Sequence, residues 1–171
     1  MRPILLFVVA LLLFAKGTAP LSMEEIDDEN IPSEIIETIG LGQFAESYSI
    51  DGTLNPFYLR GDFDGDGRPD YAVRIKSKPR GEVGIAVWLS SNKKISVLGA
   101  GSPFIVSGQS SRNLDFLNVW KVYAKRQVER GVDAGPPPHL IGEAILAGKR
   151  ESASGLIYWN GKSFLWYQQG D

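Results

Sequence analysis

The chain has 171 residues, 43% hydrophobic and 22% charged, which suits one domain built on one core. It has no cysteine and a single histidine, His139, so a disulfide framework, a thiol nucleophile, Cys-ligated zinc and a multi-histidine metal centre are all excluded. A net charge of -2 carries no signature of nucleic-acid binding.

The N-terminal stretch reads as an address. Arg2 supplies a short positive region, and Ile4 to Phe14 form an unbroken apolar run. That run is shorter than the ~20 residues of a membrane span, and small residues follow at Ala15, Gly17 and Ala19. The pattern predicts a signal peptide over 1–19, cleaved after Gly17 or Ala19, and a secreted or periplasmic protein with no stable membrane insertion. Loss of Arg2 and Lys16 leaves 16 basic residues against 20 acidic ones, a net charge of -4. No cysteine is present at the cut to carry a lipid.

Residues 20–43 form an acidic lead-in. Ser22 and Ser33 are candidate helix caps, the first with Glu25 three residues on. Ile35, Ile36 and Ile39 make one apolar stripe and Gly40 is a stop, so the sequence predicts one short helix at about 32–39. Its acids read as a solvated face.

From Phe44 onward the hydrophobic period is two, and 44–171 reads as a single β-rich domain. Tyr71, Val73 and Ile75 alternate with Ala72, Arg74 and Lys76 as a half-buried strand. Further runs centre on Val83–Leu89, Ile95–Val97, Trp120–Ala124 and Leu140–Leu146. Helical spacing also exists over 114–128, but Val119, Trp120, Val122 and Tyr123 are strand formers. Turn signals at short intervals predict antiparallel connections. The expected fold is mainly β (α+β): an antiparallel sheet, small sandwich or barrel with one short N-terminal helix.

Near the C-terminus, Asn160-Gly161 stands between two apolar runs and predicts a two-residue type I′ turn, pairing Leu156 with Leu165 and Ile157 with Phe164. Ile157, Trp159, Phe164 and Trp166 fall on one face; Leu156, Tyr158, Leu165 and Tyr167 fall on the other. Both faces are apolar. Either the hairpin is covered on both sides, or Tyr158, Trp159, Trp166 and Tyr167 offer a partner surface.

The chemistry concentrates in "GDFDGDGRPDYAV", residues 61–73. Asp62, Asp64 and Asp66 alternate, Gly67 allows a sharp turn, the Arg68 carbonyl offers an oxygen, and Asp70 closes the loop. Calcium takes about 6–8 oxygen ligands, and carboxylates on alternate residues converge when the chain curls round the ion. With Asp62 counted as position one, an EF-hand would place a glutamate at position twelve; Val73 stands there, inside a strand. Alternation on both sides makes 62–70 a loop between two strands. Unneutralised, four carboxylates so close repel one another.

This DxDxDGxxD pattern resembles the calcium loops of FG-GAP and VCBS-type repeats, over roughly residues 57–76. The resemblance implies Asp62, Asp64, Asp66 and Asp70 as ligands, Gly67 as the family glycine and 71–73 as the following strand. A propeller repeats its blades, and one copy with no internal period argues against that architecture. The resemblance also extends to small secreted bacterial proteins carrying one such loop.

Other candidates are weaker. Arg60-Gly61-Asp62 spells an adhesive tripeptide whose aspartate is already assigned to the metal. His139 follows three prolines in a loop, and there is no Gly-x-Ser-x-Gly elbow. Glu143 and Glu151 form the pair from which a hydrolase would be built. Two functions follow as expectations. The first is a calcium-stabilised, exported binding or structural module, not an enzyme, with a protein or glycan partner and no nucleic acid. The second is a small secreted hydrolase, or a hydrolase inhibitor, acting through the aromatic hairpin.

Overall fold

The structure is a computed structural model that describes Ile26, residues 28–131 and residues 135–170. The expected signal peptide and the expected Ser22 cap lie outside the described residues. Among the rest, the isoleucine stripe forms a helical turn as expected. Helix α1 (Ser33–Ile35) runs on through a π-helical turn (Ile36–Gly40), and Ile35 and Ile39 are buried. Ser33 does not cap it: Pro32 holds the cap position, and its carbonyl accepts from the Ile35 and Ile36 N–H groups. A second short helix, α2 (Gly42–Ser47), occupies residues where the sequence suggested period two.

All the strand pairing is antiparallel. The first sheet comprises β1 (Tyr48–Ile50), β2 (Tyr58–Gly61), β3 (Asp70–Ser77), β4 (Val83–Leu89) and β5 (Lys94–Gly99). Strands β1 and β2 lie end to end along one edge of β3: Ile50 faces Ile75, and Tyr58 faces Val73. A hairpin follows, β6 (Phe104–Val106) with β7 (Gln109–Ser111). The second sheet has the order β11-β10-β9-β8, built from β8 (Val119–Tyr123), β9 (Ala144–Gly148), β10 (Ser154–Trp159) and β11 (Phe164–Gly170).

The two sheets face each other. Ala72, Ile85, Val87, Leu89 and Leu98 of the first pack with Trp120, Ile145, Ala147, Ile157 and Phe164 of the second. Each fully buried aliphatic side chain here contributes about 1.5–3 kcal/mol. The Trp120 indole also donates to the Pro56 carbonyl at 2.6 Å, a polar tie between the layers. The outer face of the first sheet, Tyr71, Val73 and Ile75, is covered by Ile31, Ile35 and Ile39. The outer face of the second, Ala144, Leu156 and Tyr167, is covered by Val128 and Leu140. Among the described residues the sheets do not close into a barrel, and no helix is long and apolar enough to cross a membrane.

This layering corrects the reading of β3 as half-buried. Covered on both sides, it buries every residue from Asp70 to Ile75, Arg74 included. Burial of that cation is tolerated because its Nε donates to Asp51 at 2.9 Å and its other guanidinium edge to the Leu117 carbonyl at 2.9 Å. The expected strand over 140–146 begins only at Ala144, because residues 141–143 lie against the loop described below.

The C-terminal hairpin forms with the expected faces but a different register. Leu156 pairs with Tyr167 and Ile157 with Trp166, two residues from the expected partners. Of the two turn residues only Gly161 has a positive φ, so the type I′ turn is not made. Instead the Asn160 side chain accepts from the N–H groups of Lys162 and Ser163, both at 2.9 Å, and the loop takes four residues. A two-residue turn with positive φ at both positions occurs at Ser107-Gly108.

Candidate metal centre

The loop between β2 and β3 is shaped by aspartates bonding to their own backbone. Asp64 Oδ1 accepts from Asp66 N, and Asp66 Oδ1 accepts from Arg68 N at 2.8 Å, each two residues on. Asp62 spans further, accepting from Gly65 N at 2.8 Å and Gly67 N at 3.0 Å. Both glycines have left-handed backbone, φ 80° and 84°. They differ in surroundings. A Cβ on Gly67 meets nothing within 4 Å, whereas one on Gly65 would stand 2.4 Å from the Ile141 carbonyl oxygen.

The loop is pinned from both sheets. Phe63, fully buried, anchors it in the inter-sheet core. From the second sheet, Glu143 makes a two-point clasp: its N–H donates to the Asp62 carbonyl at 2.6 Å, and its carboxylate accepts from Asp62 N at 2.9 Å. Between Ile141 and Glu143, Gly142 lets the backbones touch, since a Cβ there would stand 2.4 Å from the Asp62 carbonyl oxygen.

These constraints bring three carboxylates together. One oxygen each of Asp62, Asp64 and Asp70 lie within 4.8 Å of one another. Oxygens on opposite sides of a calcium ion are about 5 Å apart, so this spacing suits a hard cation. Repulsion between such charges is about 1–3 kcal/mol per pair as the effective dielectric falls from ~80 to ~20. Three Asp in this arrangement could hold a metal ion.

Asp70 is the innermost, with 0% of its surface exposed. Its Oδ2 accepts from Phe63 N at 2.8 Å and Asp64 N at 3.4 Å, and its Oδ1 accepts from Ser90 N at 2.8 Å. Burial pushes its carboxyl above the usual range and the Asp64 charge adds to this, while the N–H groups of Ser90, Phe63 and Asp64 pull the other way. The Ser90 hydroxyl is buried with no hydrogen-bond partner among the described residues. The Ser91 hydroxyl donates to Asp64 Oδ2.

Asp66 stands outside the group of three. Its carboxylate is engaged by Arg68, through the N–H and through the guanidinium Nε at 3.3 Å. Glu143 and Glu151 sit at opposite ends of β9, the first on the loop and the second in the exposed turn beyond. In the hairpin, Tyr167 is buried, while Tyr158, Trp159 and Trp166 are half-buried and packed against the two cores.

The aspartate spacing signalled the loop, but its supports were missed. Gly65 carried the signal of a second glycine between aspartates; Gly142 and Glu143 lie about eighty residues away and gave none. Set against known protein families, curated proteins and solved structures, the chain matches none of them.

Proposed function

We propose that this protein is an exported calcium-binding β-module in which the ion is structural, and that it serves as a binding or structural protein. Asp62, Asp64 and Asp70 hold the ion, with Asp66 and the Arg68 carbonyl as further ligands. The loop then belongs with FG-GAP and VCBS-type calcium loops. One observation carries the reading: three carboxylates converge within 4.8 Å, and the guanidinium of the same loop pairs with Asp66 instead of with them. The donors are all oxygen, which suits calcium better than softer metals. The unpartnered Ser90 hydroxyl beside Asp70 adds an oxygen with unused capacity. The packing of the hairpin against cores on both faces, with Tyr158, Trp159 and Trp166 half-buried, favours this reading over a hydrolase or inhibitor acting through an aromatic surface.

A cation bound only by the native state stabilises it by mass action, about 2.7 kcal/mol at a hundredfold excess over its dissociation constant. Isothermal titration of chelator-treated protein is the test. One calcium per chain, bound at micromolar to millimolar concentration, is the expected result; absence of both heat and thermal stabilisation contradicts it. Export is checked by the mass of the mature protein, which should begin after residue 17 or 19.

A further inference from the structure

On the far side of the second sheet, the segment after β8 and the proline run before β9 enclose an open cleft of about 590 Å³. That is the size of a small-molecule site. Its floor is apolar: Val128 and Leu140, 3% and 4% exposed, with the Pro138 ring beside them. Its rim is basic: Lys125, Arg126 and His139 line it beside Gln127, and among the described residues no acid does. This stands out in a chain with 20 acidic residues against 18 basic ones. Among the described residues no carboxylate forms an ion pair with Lys125 or Arg126.

Arg126 is also set in place. Its guanidinium carbon lies over the Tyr123 ring, 4.5 Å from the centre, in cation–π contact. The contact leaves the planar fork of N–H groups for a bidentate contact with a carboxylate or phosphate. His139 presents an N–H in either protonation state. An apolar floor under a rim with two cations and, among the described residues, no carboxylate selects an amphipathic anion.

We propose that this cleft binds a small organic anion, with its carboxylate or phosphate head on Arg126, Lys125 and His139 and an apolar ring over Val128, Leu140 and Pro138. The site shares no residue with the acidic loop and goes beyond the calcium reading.

His139 is the single histidine of the chain, so its imidazole C–H proton resonances report on the cleft alone. The full mature chain is titrated at constant pH with phenyl phosphate, benzoate, inorganic phosphate and phenol. A saturable shift is expected with phenyl phosphate or benzoate, at least tenfold tighter than with inorganic phosphate or phenol. The better of the two aryl anions identifies the head group. Arg126→Gln weakens that binding at least tenfold, Lys125→Gln weakens it less, and Arg80→Gln, at an exposed position away from the cleft, leaves it unchanged. The proposal is overturned if neither aryl anion gives a saturable shift, if inorganic phosphate binds as well as phenyl phosphate, or if Arg80→Gln weakens binding as much as Arg126→Gln.

Discussion

Asp51 and Asp70 are the buried acids among the described residues, 4% and 0% exposed, and their surroundings differ in one respect. Asp51 has a cation: Arg74 Nε lies 2.9 Å from its Oδ2. Burial pushes the Asp51 carboxyl up, but hydrogen bonds from Thr53 and Arg74 and the Arg74 charge outweigh burial and leave it below the usual range. Asp70 has three backbone N–H groups, no guanidinium, and two more carboxylates within 4.8 Å; its carboxyl is pushed above the usual range, first by burial. Both sites bear the desolvation of a carboxylate. The first balances its charge within the chain and the second does not, which is the physical ground for assigning a cation from solution to the second.

The largest expected effect comes from unbalancing the balanced site. Arg74→Met keeps much of the buried stem but leaves Asp51 as an unpaired buried charge, and the protein should lose about 3–5 kcal/mol in urea denaturation. Replacing both members of the pair by apolar residues should recover part of that loss. A loss well under 1 kcal/mol for Arg74→Met would mean that the pair does not compensate Asp51, and the contrast with Asp70 would fail.

A smaller effect tests whether the carboxylates are held together by the clasp from the second sheet. Gly67→Ala meets open space and should cost only the left-handed backbone, about 1–2 kcal/mol. Gly65→Ala pays the same and also drives a Cβ against the Ile141 carbonyl, so it should cost clearly more. Equal losses would mean that residues 141–143 do not fix the loop.

The smallest effect lies in the pH dependence. Asp51 has its folded value below the unfolded one of about 3.9, so its stabilisation is present above about pH 4 and is lost as pH falls through the folded value. Asp70 has the opposite sign. Its folded value is raised, so its ionisation weakens the fold as pH rises through that value. A bound cation favours the ionised form of Asp70. The gain in melting temperature on adding calcium should therefore be full at pH 7 and shrink as the pH is lowered through the raised value. A gain independent of pH would place the cation elsewhere.

Much of the fold was legible because patterns of period two survive in long strands. β3, β4, β5 and the two strands of the C-terminal hairpin fall where alternation put them. Short elements carry too few residues for a period: β1 and the β6–β7 hairpin are three-residue strands, and α2 has six residues. The register of the last hairpin was misread because Asn160 used its side chain, and not a left-handed backbone, to close the turn. The aspartate spacing was legible because it is local in sequence. What positions it is not: Glu143 contacts Asp62 across 81 residues, and the Asp51–Arg74 pair reads as two unrelated charges until the strands are paired.

The most direct test of the cation assignment is the melting temperature of the wild-type protein and of Asp64→Asn, each with chelator and with calcium at about a hundredfold excess over the measured dissociation constant. Asparagine keeps the Oδ1 that accepts from Asp66 N and removes the charge beside Asp70; the Oδ2 that accepts from the Ser91 hydroxyl becomes an amide donor, from which that hydroxyl can turn to accept. With chelator, Asp64→Asn should be as stable as wild type or more so, because repulsion is relieved. With calcium the order should reverse, the wild-type protein rising well above the variant. If calcium moves neither protein and Asp64→Asn remains the firmer in both conditions, the three aspartates form a polar turn and the calcium assignment is wrong.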